Sequence, residues 1–343
     1  MVTGENDPNC DPIWGDFVDS DDECEIEDAC EPVERYEEGL YYPVCIGEVL
    51  VDRYRVEHKL GHGGFSTVWM ANDMLSNDNV ALKIMSPGPS GEREYAAQNM
   101  IASAVQDTSR LLIYQDTFLL PGASQIYHRV LIFPLLGPSL RTYASSMSTA
   151  ARRSSAKQLL QAIKALHDGQ VVHRVQETIT LADFGLAVKS GTSVDYKGQP
   201  PAIYCAPERI HSIDPSFASD MWSYICIFAE LTLGFPLFYG SADSSVVEFM
   251  VKSLGPLPSS WKGSYEGGGQ YDESWYSQNR QPDPHHTLEA KIKRALYDIS
   301  PVEKQLVLSI LQRGLSYSPE HRFSAGQLLE DVSFKELMAI YGL

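Results

Sequence analysis

No stretch of this chain is apolar enough for long enough to cross a bilayer. The most apolar run, Met221–Phe235, is interrupted by Glu230 and falls short of the roughly twenty residues that a spanning helix needs. The N-terminus has no basic region followed by an apolar run, so neither a secretory leader nor a membrane partner is expected. Cysteine is sparse: Cys10, Cys24, Cys30, Cys45, Cys205 and Cys226. None forms a Cys-x-x-Cys pair and no His lies near the first four, which argues against a zinc site and for reduced thiols in the cytoplasm or nucleus. Positive charge is the largest deficit, with 27 Lys and Arg against 45 Asp and Glu and a net charge of −18. Such a chain is a poor direct partner for nucleic acid and a better one for a basic peptide. There is no internal repeat.

The charge is uneven. Residues 1–40 hold 15 Asp and Glu against one Arg, hence −14, which leaves −4 of the total −18 for the rest. Residues 1–35 are acidic and poor in aliphatics, so a solvated, disordered tail is expected, with an autoinhibitory or docking tail as the alternative. From Tyr36 the character changes. Aromatics, Pro43 and Gly47 make 36–52 an ordered lead-in strap, read as neither helix nor strand. The remaining length suffices for a core divided between two lobes.

Arg53–Leu60 alternates as a strand, with Tyr54 and Val56 on one face and Arg55 and Glu57 on the other. A Gly-rich turn follows, Gly61–His62–Gly63–Gly64–Phe65–Ser66–Thr67–Val68, with Ser66 in place of a third Gly. Its glycines allow tight turning and close approach of backbone amides to phosphate oxygens. Thr67–Ala71 returns as a strand, and Val80–Ala81–Leu82–Lys83 is an apolar strand ending in Lys. A helix is expected over Ser90–Val105, with Ala97, Met100, Ile101, Ala104 and Val105 on its apolar face. Leu111–Tyr114 and Val130–Leu135 read as two further strands. Ser155–His167 has helical spacing through Leu159, Leu160, Ile163 and Leu166. Residues 254–288, rich in Gly, Ser, Pro and aromatics, read as a surface insert. Ser324 with Gln327 forms a capping box.

Six landmarks follow in order: the Gly-rich turn, Ala81–Leu82–Lys83, His173–Arg174, Asp183–Phe184–Gly185, Ala206–Pro207–Glu208, and Asp220 with Trp222–Ser223. With them the chain resembles eukaryotic protein kinases over residues 53–338. The lead-in YEEGLYYPVCIGE before RYRVEHKLGHGGFSTVW is similar to the SR-protein kinase branch. VLIFPLLGPSLRTYA, AIYCAPER and PSFASDMWSY are similar to its fungal members.

The resemblance implies an α+β bilobal protein-kinase fold, with a small β-rich N-lobe (53–135) and a larger helical C-lobe (136–343). It implies a monomer that transfers the ATP γ-phosphate to protein serines, often in Arg/Ser-rich substrates, with Mg²⁺. The implied nucleotide-binding residues are Leu60, Gly61, His62, Gly63, Gly64, Phe65, Ser66, Thr67, Val68, Ala81, Lys83, Glu94 and Leu135. Phe133–Leu136 would be the hinge and Asp183 the metal ligand. Glu94 is the candidate ion-pair partner of Lys83; Gln98, one turn on, has the more usual spacing but no charge. Asp220 is expected to hold the backbone at His173, Arg322 to pair with Glu208, and Lys189–Pro201 to form the activation loop.

One departure is central. Val175 stands where the general-base Asp belongs, and no Asn lies between it and Asp183. Asp183 follows Arg174 by nine positions, about half the spacing of the kinase pattern. The catalytic loop is therefore read as missing between 174 and 178, and no catalytic residue is expected to be intact. Glu177 is the lone carboxylate in the gap, on a strand (Thr178–Ala182) that should turn it away. Loss of a general base alone costs ~10²–10⁴ in rate. Two readings stay open: a serine/threonine kinase missing its catalytic loop, or a pseudokinase or scaffold.

Overall fold

A computed structural model describes residues 31–122, 126–137, 140–173, 181–192 and 201–343. The chain enters through one helical turn, α1 (Glu34–Glu37), and then builds a six-stranded antiparallel sheet in the order β1-β2-β3-β4-β6-β5. The strands are β1 (Val49–Leu50), β2 (Tyr54–Gly63), β3 (Ser66–Asp73), β4 (Asp78–Met85), β5 (Asp116–Pro121) and β6 (Tyr127–Pro134). Period-2 alternation sorts their side chains. Tyr54, Val56, Trp69, Ala71, Leu82, Ile84, Val130 and Ile132 share a core capped by Tyr42 and Val44 of the strap. Val68, Lys83 and Leu131 are register partners on the opposite face.

Two expectations are corrected here. The strap is not free of regular structure: α1 opens it at Glu34, so that Glu34 and Arg35, expected in the disordered tail, belong to the strap, and β1 pairs with β2 through Val49–Arg55 and Leu50–Tyr54. A turn at Val51 and Asp52, with φ of 46° and 54°, closes that hairpin. Leu111–Tyr114 is not a strand. Leu111 makes a single parallel bridge to Leu181, and Gln98 holds Leu112 O and Tyr114 N from the neighbouring helix. The strand is Asp116–Pro121, at the sheet edge, where Pro121, opposite Tyr127, is tolerated without an N–H to donate.

Helix α2 (Pro89–Ala104) packs against the sheet, with Ala97 and Ile101 buried. Beyond β6 the fold is mainly helical, beginning with a short turn, α3 (Leu140–Tyr143). Helix α4 (Thr149–Asp168) is capped by Ser148 and buries Leu159, Leu160, Ile163 and Leu166. A two-stranded ribbon follows, β7 (Val171–Val172) with β8 (Val188–Lys189). Helix α5 (Phe217–Leu233) starts with a Ser216/Ser219 capping box, is buried along most of its length, and stops at Gly234 with φ 82°, a C-terminal position suited to glycine. Around it lie α6 (Asp243–Leu254), α7 (Leu288–Ala295), α8 (Pro301–Gly314), α9 (Ala325–Glu330) and α10 (Val332–Ile340).

The 254–288 segment is more than surface. Leu257, Trp275 and Tyr276 are buried with Cys205, Ile210, Val247 and Val251 in a third core. Trp275 Nε1 donates to Glu248, and Tyr276 OH lies 2.7 Å from His211 Nε2. Its aromatics, evident in the composition, pack against one another: Trp275 lies edge-on to Tyr265 and Tyr271, and Tyr271 also meets Tyr276.

The larger lobe buries the Arg322–Glu208 ion pair completely. Arg322 meets both oxygens of Glu208 at 2.7 Å, donates also to Ser316 O and Ala218 O, and lies over the Trp222 ring. Removing one partner strands the other charge in the core. Arg322→Ala should cost about 3–5 kcal/mol of unfolding free energy, whereas Lys164→Ala, which breaks the exposed Lys164–Asp168 pair, should stay within about 1 kcal/mol. Urea denaturation of the two variants checks the contrast; equal losses would contradict the burial argument.

Candidate active site

Lys83 leaves β4 on the face away from the sheet core and reaches two carboxylates. Its Nζ lies 2.8 and 2.7 Å from the two oxygens of Glu94 on α2, and 3.2 Å from Asp183 Oδ1. Of the two α2 candidates, Glu94 makes the pair. Gln98, fully buried one turn on, is spent on Leu112 and Tyr114. The short spacing from Lys83 to Glu94 is met because α2 begins at Pro89, directly after the β4 end.

Asp183 adopts a left-handed backbone, φ 61° and ψ 69°, which Asp tolerates better than a branched residue. Its carboxylate is 47% exposed, against 3% for Glu94. Phe184 turns the other way and is fully buried, edge-on to the His173 ring at 5.0 Å. Asp220 Oδ2 accepts the His173 amide at 2.8 Å and also faces His167 Nε2 at 3.1 Å. The His167 contact had no signal in the sequence beyond a His ending a helix.

One ammonium thus serves two carboxylates. Burial works against the Lys83 charge, but Glu94 and Asp183 outweigh it and hold the ammonium above the ordinary lysine value. Burial, with Asp183 adding to it, lifts the Glu94 carboxyl above its ordinary value. Asp183 is also opposed by burial, yet Lys83 carries it below the usual carboxylate range. With both carboxyls ionised, the cluster has excess negative charge on its open, Asp183 side.

The Gly-rich turn forms the end of the β2–β3 hairpin, where Gly63 pairs with Ser66 and Gly64–Phe65 reverse the chain. The turn is tight, two residues long, yet Gly61, Gly63 and Gly64 are not among the positive-φ residues. A Cβ built on any of the three would meet nothing within 4 Å, so open space rather than strain distinguishes these positions. Ser66 and Thr67 are buried, Val68 is partly buried, and Leu60, His62 and Phe65 are exposed. Ala81 pairs with Met70 and Phe133 across the sheet, and Leu135, just past β6, is half-buried. Val175, Glu177 and most of the 189–201 segment lie outside the described residues, as do residues 1–30.

The protein kinase domain model matches residues 54–334. A serine/threonine protein kinase of Aspergillus fumigatus is 24% identical over 372 positions, covering 93% of this chain and 93% of that protein. Mouse mitogen-activated protein kinase 15 is 27% identical, covering 84% of this chain and 55% of its own length. The serine/threonine-protein kinase prpf4B of Dictyostelium discoideum is 24% identical, covering 80% and 36%.

The triad sets a pH dependence. In Lys83→Met both carboxyls lose their cation: Glu94, already above its ordinary value, should rise further, and Asp183 should rise from below its ordinary value to above it. A group whose folded pKa is raised contributes stability below its unfolded pKa and loses it as pH rises through the folded value. The variant should therefore lose about 3 kcal/mol at pH 7.5 and distinctly less at pH 5. Urea melts of both chains at the two pH values check this; a penalty independent of pH would contradict it.

Proposed function

This chain belongs to the protein kinase family, and on that premise we propose that it is a serine/threonine kinase of SR-protein-kinase type whose nucleotide-holding half is intact and whose transfer half is missing. The reading rests on one observation above all: Lys83 joined to Glu94 with Asp183 in reach, beside a gap of nine positions from Arg174 to Asp183 that holds neither a second Asp nor an Asn.

The residues present suit ATP and Mg²⁺. Gly61, Gly63 and Gly64 leave open space at the hairpin where phosphates need close approach. The half-exposed Asp183 offers a carboxylate oxygen beyond the one facing Lys83, as a hard divalent cation requires. In this reading Lys83 holds the α- and β-phosphates, Glu94 fixes Lys83, and Asp183 takes the metal. The amides and side chains of 60–68, with Ala81 and Leu135, line the nucleotide. Bound Mg-ATP supplies the γ-phosphoryl group that a kinase transfers. What the chain lacks is a group to accept the serine proton and one to hold a second metal.

The missing loop is a defect of this chain rather than a design of the protein. Groups whose use depends on it are kept: Asp183, Lys83, Asp220 at the His173 amide, and the Glu208–Arg322 pair. The alignment to the Aspergillus protein runs over 372 positions, more than the 343 residues this chain can offer, so that relative carries residues absent here. Serine or threonine as acceptor follows the names of the relatives, and Arg/Ser-rich substrates follow the lead-in strap. A pseudokinase that binds ATP without transfer is the second reading, favoured by Val175.

Millimolar Mg-ATP should raise the melting temperature, since stabilisation follows the ratio of ligand to dissociation constant. Lys83→Ala and Asp183→Ala should each remove most of that rise. With radiolabelled ATP, Mg²⁺ and an Arg/Ser peptide, turnover should stay far below the ~1–100 s⁻¹ of ordinary kinases. No melting shift at any concentration would favour a scaffold that binds no nucleotide; turnover within tenfold of ordinary kinases would refute the inactivity.

A further inference from the structure

The strap does more than cap the sheet. Tyr41 OH donates to Gly63 O at 2.5 Å, and Arg35 Nη1 donates to Gly64 O at 3.0 Å. The next carbonyl, Phe65 O, accepts from the Ser86 amide at 2.8 Å. Three consecutive acceptors of the hairpin tip are thus occupied by the protein itself. The amides of Gly64 and Phe65 have no protein partner among the described residues.

Peptide geometry links the two facts. Every described peptide is trans, so the C=O of one residue and the N–H of the next point in opposite directions. Fixing Gly63 O toward the strap turns the Gly64 N–H away from it; fixing Gly64 O does the same for Phe65. The strap lies on the sheet face that holds Trp69, as Tyr42 and Val44 do. Val68, alternate to Trp69, pairs with Lys83 on the other face. The two free amides are therefore aimed toward the Lys83 side.

The strap residues are themselves held. Tyr41 is 3% exposed, edge-on to Tyr36 at 5.5 Å, with the Arg35 guanidinium 5.8 Å from its ring centre. Tyr36 OH donates to Glu31 and accepts from Lys59, whose ammonium also pairs with Glu31 and sits 4.9 Å over Trp69. A hairpin tip containing Gly63 and Gly64, left alone, has little to fix its peptide planes.

We propose that Arg35 and Tyr41 are positioning residues for phosphate: by holding the Gly63 and Gly64 carbonyls outward, the strap presents the Gly64 and Phe65 amides as donors to a phosphate-bearing ligand. This rests on the nucleotide-binding reading above and adds a role for the lead-in segment to it.

The test uses the full chain with Tyr41→Phe, which keeps the ring, and Arg35→Ala, which removes an exposed contact. Calorimetry of Mg-ATP and of adenosine separates phosphate from base, and hydrogen exchange reports on the tip amides. A lost hydrogen bond of ordinary strength corresponds to about fivefold. Each variant should bind Mg-ATP about fivefold more weakly, bind adenosine as the parent does, and at a fixed subsaturating Mg-ATP concentration gain about fivefold less protection of the Gly64 and Phe65 amides from exchange. Equal weakening of ATP and adenosine, or no weakening of either, overturns the proposal while Lys83→Ala still sustains the nucleotide reading. A parent chain that binds no ATP overturns the nucleotide reading and, with it, the proposal that rests on it.

Discussion

The Lys83 ammonium is where three separate parts of the chain meet. It arrives on β4, finds Glu94 on α2, and meets Asp183 at the point where the chain returns from the larger lobe. None of these segments is otherwise bound to place a charge there, and a buried carboxylate without a cation would be expensive. The pair therefore fixes how α2 sits against the sheet, and α2 in turn covers Phe184 and, through Gln98, pins the 112–114 crossing. Sheet, helix and the Asp183 turn form one unit because a single cation is shared.

A second unit is built below it. Asp220, at the buried start of α5, accepts the His173 amide, and Arg322 ties Glu208 to Ala218 and Ser316. These contacts hold the two margins of the segment that should carry out transfer. Nine extended residues reach at most about 30 Å, enough to link Arg174 to Asp183 but not to add a base-bearing loop and a following strand. On the proposed reading, the surroundings of the reaction are kept in a chain whose centre is short.

Much of this was legible in sequence because charge and periodicity act locally. Lys83 at the end of an apolar strand, Asp183 before Phe184–Gly185, and the Ser324/Gln327 cap all appear where their residue types require. The choice of Glu94 over Gln98 could be posed but not decided, since it depends on where α2 starts relative to β4. Asp116–Pro121 was overlooked because an edge strand is set by its neighbour β6 rather than by alternation, while the continuous apolar run Leu111–Tyr114 serves as a crossing. The bonds from Tyr41 and Arg35 to the hairpin carbonyls carry no sequence pattern, because a backbone acceptor looks the same at every residue.

The most direct measurement supplies the catalytic loop that the proposed reading finds missing. An Asp-Leu-x-x-x-Asn loop with its following strand is inserted between Arg174 and Val175, and phosphorylation of basic serine peptides is followed alongside Mg-ATP binding. The expected result is serine phosphorylation at a rate ordinary for kinases, ~1–100 s⁻¹, together with a more stable larger lobe. A grafted chain that folds and binds Mg-ATP yet leaves serine peptides unmodified would contradict a kinase that has lost only its catalytic loop, and would make the protein a pseudokinase.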